Sequence, residues 1–351
     1  MLMQDTGNKL SRNPYVFNIP LNYTVMKNYI SYSFITSVII LTTCEKDTVN
    51  RRLLTENAYI ADYTVATENY LRNIPEEYIN YARNNLHIAY QHTSHGTHVS
   101  YGLFGLQDYK VGDNELFGVT NNNPAPGKLD FRDYALENYA APGESAADLS
   151  QDETAFIQAT RNFLDDPDNA EINVVMWSWC NIAGHDVSGN YLPGMQMLID
   201  EYGIGGSKIG QGMGYRENPV TFIFMTGHAN EGSNLGEGNP KSQAALITEF
   251  SKQNRQFCLD YYSIDTHDMN GSYWEDTGDD GNSASYGGNF YVDWQNSHTV
   301  GQHYFENKSS PGGSVTFGAH NSQHITANRK AYAMWYILAS IAGYSGEEAT
   351  N

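Results

Sequence analysis

Residues 86–103 read LHIAYQHTSHGTHVSYGL, an apolar run that ends abruptly in the segment HTSHGTH. A tight turn requires the glycine of this segment, but it does not require the histidines. A serine hydroxyl becomes nucleophilic when a nearby imidazole accepts its proton, and closely spaced imidazoles can bind a transition metal. The segment therefore indicates a site of chemistry at the end of a strand.

Other apolar runs also end in polar residues. The runs 172–180, 219–228 and 257–265 are continuous and apolar, which is typical of strands buried in a parallel sheet. Ligands of such sheets bind beyond the carboxyl ends of the strands. The polar residues expected at that edge, including those before the last helix, are His92, Ser94, His95, Gly96, Asn181, Gly227, His228, Asn230, Asp265, His267, Asp268, His320, Asn321 and His324.

Helical patterns separate these runs and predict an α/β fold with a mainly parallel central sheet covered on both faces. The predicted helices cover 75–85, 150–165, 192–203, 240–256 and 325–343. The second of them is expected to begin with a capping box formed by Ser150 and Glu153. Long loops are expected at 104–149, 204–218 and 266–319.

Charge excludes some classes of partner. The chain of 351 residues has 40 acidic and 20 basic side chains, a net charge of −20. Such a charge repels nucleic acid and anionic membranes and favours neutral or cationic substrates. The 26 tyrosines and 5 tryptophans fit a carbohydrate-binding surface as well as they fit ordinary packing.

The amino-terminal region has the pattern of an export signal. Residues 29–43 are apolar and uncharged, follow Lys27 and end at Cys44 in the lipobox-like sequence LTTC. We expect 1–25 to be an over-called start or a leader, 26–43 a lipoprotein signal peptide, and 44–74 a tether. Cys44 would carry the lipid, so the expected location is the cell envelope or surface, with membrane contact only through that anchor. Cys180 and Cys258 are expected to be buried free thiols, because their strands would lie too far apart for a disulfide.

The motifs HTSHG, WSWC, MTGH and SQHITANRKAYAMWYILASIAGY resemble the SGNH (GDSL-like) hydrolases, and most closely uncharacterised secreted bacterial lipoproteins of that superfamily. The resemblance covers about residues 86 to 344. It implies a flavodoxin-like three-layer α/β/α domain, here 75–345, and an esterase activity.

The resemblance also implies catalytic roles. Ser94 matches the nucleophile and His324 the base, but the Asp-x-x-His of the family reads Asn321-Ser322-Gln323-His324 in this chain. Losing the orienting carboxylate costs a serine protease about 10⁴ in rate. Three alternatives remain open: a Ser–His dyad, orientation of His324 by Asp265 or Asp268, or an inactive site.

The oxyanion hole is expected to use the backbone after the first strand, at Gly96, together with donors at other strand ends. The block Gly227-His228-Ala229-Asn230 resembles the Gly-x-Asn-Asp block of the family, so Asn230 or His228 would be the donor. Asn181 would take the place of the glycine in the second block. His92, His95, His267, Asp268 and His320 are expected to line the substrate site.

The expected function is therefore that of a serine esterase that needs no cofactor and acts on a small-molecule or carbohydrate ester. Two alternatives stay open, a non-catalytic glycan-binding lipoprotein on the same fold and a metal-dependent hydrolase. The second has seven candidate imidazoles, at His92, His95, His98, His228, His267, His320 and His324. The acidic run 276–283 lacks the final glutamate of a calcium loop and is expected to be solvated. The sequence does not indicate an oligomeric state.

Overall fold

The computed structural model describes residues 59–346. The predicted leader, signal peptide and lipidated Cys44 lie outside the described residues. Six parallel strands form one sheet: β1 Ile60–Ala61, β2 His87–Gln91, β3 Asp130–Asp133, β4 Val174–Trp177, β5 Thr221–Met225 and β6 Phe257–Leu259. A short antiparallel hairpin pairs β7 Asn282–Ser283 with β8 Gly288–Asn289.

The strand order is β1-β6-β5-β4-β2-β3. From β3 to β6 this is the flavodoxin-like doubly wound order, to which β1 adds an edge strand. The order reverses direction between β2 and β4, and ligands of such sheets bind in the crevice outside that reversal. Because β1 pairs with β6, the folded domain begins before residue 75, the predicted boundary.

Ten helices occur among the described residues: α1 Glu68–Arg72, α2 Glu76–Asn85, α3 Thr97–Leu106, α4 Asp113–Leu116, α5 Ala155–Asp165, α6 Leu192–Tyr202, α7 Pro240–Asn254, α8 Tyr261–Thr266, α9 Phe290–Asn296 and α10 His324–Ile341. Apolar side chains alternate between the two faces of the sheet. Ile88 and Met176 pack with α3 and α10 on one face, whereas Ala89 and Val175 pack with α5 and α6 on the other. The predicted three-layer α/β fold is thereby confirmed.

Two of the local predictions that were wrong concern the end of a strand and the start of a helix. The run 257–265 is a strand only to Leu259, because the Asp260 side chain accepts the Ser263 N–H and begins α8. The capping box is also absent from α5, whose N-cap Thr154 makes no side-chain cap bond. The Ser150 hydroxyl accepts the backbone N–H groups of Cys180 and Asn181 instead.

Helix α10 lies in the core and packs closely against α3. A Cβ added at Gly102 of α3 would overlap the Ala327 carbonyl oxygen and approach the Ala331 side chain. Because Gly102 has no side chain, α3 and α10 can pack at this short distance.

Gly102→Ala should lower the free energy of unfolding by about 1–3 kcal/mol, the usual cost of overpacking a core. Gly288→Ala is the matched control, because a Cβ there would meet nothing within 4 Å. Urea unfolding of both variants measures the difference. Equal stability of the two variants would contradict the close crossing of α3 and α10.

Asp260 gives a pH-dependent test of the core. Burial raises the pKa of its carboxyl to about 6, although the Ser263 N–H and the Thr226 hydroxyl donate to it. The folded chain therefore holds this proton more tightly than the unfolded chain, and the stability gained from it below pH 4 is lost as the pH rises through about 6.

Asp260→Asn removes this ionisation. Between pH 4 and pH 7, its free energy of unfolding relative to the wild type should rise by up to about 3 kcal/mol. Asp186→Asn, at an exposed N-cap, is the matched control for the substitution itself. A pH-independent difference between Asp260→Asn and the wild type would contradict the raised pKa.

Candidate functional site

Ser94 lies at a strained turn between β2 and α3. Its φ is 30°, in a region that residues other than glycine rarely adopt, and the short 3₁₀ turn Ser94–Gly96 leads into α3. The Ser94 carbonyl accepts a hydrogen bond from the Thr97 hydroxyl at 2.6 Å. Among the described residues, none forms a hydrogen bond with the Ser94 hydroxyl. A serine with a strained backbone at a strand-to-helix turn is the arrangement found for nucleophiles in α/β hydrolases.

The next residue, His95, is the centre of a group that we call the strand-end cluster: His95, Cys180, His228, Asp279 and His320. The His95 ring stacks on that of His228, with centroids 3.6 Å apart, and on that of His320, with centroids 4.8 Å apart. Its Nε2 lies 3.5 Å from Asp279 Oδ2 and its Nδ1 lies 3.9 Å from Cys180 Sγ. His95, Cys180 and His228 follow β2, β4 and β5, so the cluster lies at the reversal of strand order.

Burial shifts the pKa values of three members of the cluster, His95, His228 and Asp279. It lowers the pKa of His95 to about 2 and that of His228 to about 4, with the positive charge of Lys330 contributing to both. Burial also raises the pKa of Asp279 to about 7, and the nearby carboxylate of Asp265 acts in the same direction. At neutral pH His95 and His228 are therefore neutral, and Asp279 is poised between its two protonation states.

The His228 ring has a defined tautomer. Its Nδ1 lies 2.8 Å from the Ala229 carbonyl oxygen, which can only accept a hydrogen bond. Nδ1 therefore carries the proton. The backbone of Cys180 also interacts with the ring, in the direction that raises the pKa of His228.

The structure does not bring Ser94 and His324 into hydrogen-bond contact. His324 Nδ1 accepts the backbone N–H of Asn307 at 3.2 Å, and its ring stacks on Phe317 with centroids 4.4 Å apart. Asn321, at the position of the missing aspartate, donates to the Asp279 carbonyl and accepts the Gln323 N–H. It thus joins the loop of Asp279 to the segment before α10.

Asp265 contacts Lys330 rather than His324. Both side chains are fully buried, and Lys330 Nζ pairs with Asp265 Oδ1. The other oxygen, Oδ2, accepts the Ala229 N–H at 3.1 Å, so Asp265 supports the backbone beside His228. Burial raises the pKa of Asp265 to about 6, against the lowering effect of Lys330.

Three other predicted site residues make structural contacts. His92 Nε2 lies 2.8 Å from Asp133 Oδ1, and both side chains are buried. His267 donates from Nδ1 to the Ser263 carbonyl and stacks on a tyrosine ring. The Asp268 carboxylate accepts two backbone N–H groups and the Trp274 indole N–H of its own loop.

The predicted oxyanion residues lie around the cluster. A Cβ at Gly96 would overlap His92, Ser178 and Tyr90, and one at Gly227 would overlap the Ile182 side chain. Both positions therefore need glycine because the backbone is crowded. Asn230 Nδ2 donates to Asn181 Oδ1 at 3.2 Å, which links the segments after β5 and β4.

Sequence reasoning missed two members of the cluster. Cys180 was expected to be a buried free thiol. It is a free thiol, like Cys258, but it is half-buried and its sulfur faces His95. Asp279 lies in the acidic run 276–283, where five neighbouring polar residues gave it no distinctive signal. Only the folded loop shows that this carboxylate points at an imidazole.

The pair of Asp265 and Lys330 can be tested by stability. Asp265→Asn should lower the free energy of unfolding by about 3–5 kcal/mol, because it leaves an unpaired buried ammonium. Lys330→Met should also be destabilising, since it leaves an unpaired carboxyl.

The double variant Asp265→Asn/Lys330→Met should be more stable than the sum of the single losses allows, because neither charge then remains buried. A double-mutant cycle in urea measures this coupling. Additive losses would contradict the ion pair.

Among the described residues, no helix is both long and apolar enough to cross a bilayer. Comparison of the chain with protein-family models, curated proteins and solved structures found no match. The α/β fold alone is compatible with many activities. Function must therefore follow from the chemistry of the cluster.

Proposed function

We propose that the chain is an ester hydrolase in which Ser94 is the nucleophile. The observation that carries this proposal is the Ser94 backbone, with a φ of 30° at the turn from β2 into α3. Such strain costs about 1–3 kcal/mol and persists where the surrounding structure enforces it, most often at functional sites. A serine with an unbonded hydroxyl beside a histidine cluster meets the first requirement of acyl transfer.

His320 replaces His324 as the proposed base. His320 belongs to the strand-end cluster, its side chain is exposed, and its own φ is 64°. His324 is half-buried and one of its nitrogens is already bonded to the Asn307 backbone. The ring of His320 stacks on that of His95, the residue that follows Ser94, whereas the ring of His324 is held against Phe317.

The reaction would follow the two steps of covalent acyl transfer. The Ser94 oxygen attacks the ester carbonyl carbon while His320 takes the hydroxyl proton. The tetrahedral intermediate then expels the alcohol, which takes the proton from His320, and leaves an acyl-serine. A water molecule gives a proton to His320 and attacks the acyl group, which releases the acid and restores the hydroxyl.

An acylated carbohydrate at the cell envelope is the proposed substrate. The net charge of −20 favours a neutral ligand over an anionic one. Two half-exposed aromatic side chains contact predicted site histidines: Tyr134 packs at a tilt against His92, and Phe317 stacks on His324. Aromatic rings with an exposed face suit the apolar faces of sugars. The envelope location follows the proposed lipid anchor at Cys44.

The nucleophile is tested with a fluorophosphonate probe and p-nitrophenyl acetate. The wild type should react with both, and Ser94→Ala should lose both reactions. Ser188→Ala, at an exposed turn, is the matched control and should retain them. An unlabelled wild type that still binds glycans would instead identify the chain as the non-catalytic binding protein.

The base is tested by two matched substitutions. His320→Gln should lower kcat/KM by about 10²–10⁴, the usual contribution of a general base. His324→Gln should change kcat/KM by less than tenfold, because glutamine can still accept the Asn307 N–H. The reverse order of effects would restore His324 as the base.

A further inference from the structure

We propose that His95, His228 and Asp279 bind one divalent transition-metal ion of the zinc class. One ligand atom from each side chain lies within 4.8 Å of the others. Around tetrahedral zinc, nitrogen and oxygen ligands at 2.0–2.2 Å lie about 3.3 Å apart. The three groups therefore need to close by only about 1–1.5 Å to reach coordination distances.

The orientation of His228 is that of a metal ligand. Histidines that bind metals usually donate the proton of their second nitrogen to a carboxylate or a backbone carbonyl, which fixes the ring. His228 makes this bond from Nδ1 to the Ala229 carbonyl, so Nε2 is the nitrogen that would bind the ion. The adjacent Ala229 N–H is in turn held by the buried Asp265 carboxylate.

Asp279 supplies an oxygen that lacks a partner. Its Oδ2 is buried and, within the described part of the chain, has no hydrogen bond, although it lies 3.5 Å from His95 Nε2. A buried polar atom without a partner is costly and calls for an explanation such as an ion. A cation between Asp279 and His95 would satisfy both atoms.

The charges of the surroundings are compatible with a cation. The ammonium of Lys330 opposes a cation, but it is paired with the carboxylate of Asp265, which is not one of the proposed ligands. Asp279 would bind the ion as a carboxylate, since metal ligands must be deprotonated. Zinc prefers this mixture of imidazole and carboxylate over an all-oxygen set.

A competing set shares His95. His95, Cys180 and His320 also offer ligand atoms within 4.8 Å of one another. Cys180 faces Nδ1 of His95 and Asp279 faces Nε2, so one ion uses one set or the other. We favour the set with Asp279, because it is the more buried and because Asp279 Oδ2 has no hydrogen bond within the described part of the chain. The rings of His95 and His228 are only 13° from parallel, so one of them must rotate as the ion binds.

This site does not depend on Ser94 being a nucleophile. The three proposed ligands include neither Ser94 nor His320, so a bound ion can coexist with the proposed acyl transfer. An ion there would lie next to the proposed nucleophile, where a Lewis acid can polarise an ester carbonyl.

The test is a Co²⁺ and Zn²⁺ titration of the full chain after treatment with a chelator. One equivalent of Co²⁺ should produce the visible absorption of a low-coordinate site, and Zn²⁺ should displace it. His228→Gln and Asp279→Asn should each weaken Co²⁺ binding by at least about 100-fold, because even outer-shell changes cost 10–100-fold. His185→Gln and Asp280→Asn are matched controls outside the ligand set and should bind normally.

A second readout keeps the test independent of folding defects. Zn²⁺ should raise the Tm of the wild type and of the controls by mass action, but not that of the ligand variants. Their far-ultraviolet circular dichroism should match the wild type. Absence of cobalt absorption and of a Tm shift, or binding that survives His228→Gln, would overturn the site.

The outcomes also separate this site from the proposed function. A thiolate-to-cobalt charge-transfer band would assign the ion to Cys180 and overturn the ligand set with Asp279. Ser94→Ala should bind Co²⁺ as the wild type does. Metal binding without probe labelling would contradict the esterase proposal but not the metal site. Probe labelling without metal binding would contradict the metal site but not the esterase proposal.

Discussion

The buried ion pair of Lys330 and Asp265 is the interaction on which the arrangement of the site depends. Lys330 lies in the middle of α10 and Asp265 in α8, and neither side chain is exposed. The second oxygen of Asp265 holds the backbone N–H of Ala229 at the end of β5. One carboxylate thus connects a helix of the core, a short helix after β6 and the turn that presents His228.

This pair also controls the electrostatics of the cluster. Removing two charges from water costs several kcal/mol per ion, and good geometry and further hydrogen bonds are needed to offset that cost. Lys330 lowers the pKa values of His95, His98 and His228 through its positive charge, in addition to the effect of burial. Burial, with the ammonium of Lys330 acting in the same direction, therefore favours neutral imidazoles, the form in which they can accept protons or bind a metal.

The sequence was sufficient for the layers of the fold because burial on both faces leaves a clear pattern. Strands β4 and β5 are continuous apolar runs, and α10 repeats its apolar residues at helical spacing. Edge strand β3 was missed because its sequence DFRD is mostly charged. Helix α3 was not predicted, since it contains two glycines and weak helix formers, and its stability comes from close packing against α10.

The sequence predicted only those site residues whose positions follow directly from the ends of the parallel strands. The sequence placed Ser94, His95 and His228 at one edge, because parallel strands deliver their carboxyl ends to the same side. The sequence could not show which of His320 and His324 would be the better base. The two histidines are four residues apart, and they differ in whether another segment of the chain contacts the imidazole ring. That choice depends on the Asn307 backbone and Phe317, whose contacts with His324 are fixed by the folding of a long loop.

The same reasoning explains why strain is concentrated at Ser94. The turn after β2 is crowded: Gly96 has no space for a side chain beside His92, Ser178 and Tyr90, and the Tyr90 hydroxyl donates to the Gly96 carbonyl. The Tyr261 hydroxyl donates to the carbonyl of His95 from the opposite side. Two buried tyrosines thus hold the backbone carbonyls of His95 and Gly96, the two residues that follow Ser94. A change in the φ of Ser94 would disturb these buried hydrogen bonds. The core stabilises a serine conformation that an isolated turn would not keep, and it does so where the strand order reverses and His95, Cys180 and His228 meet.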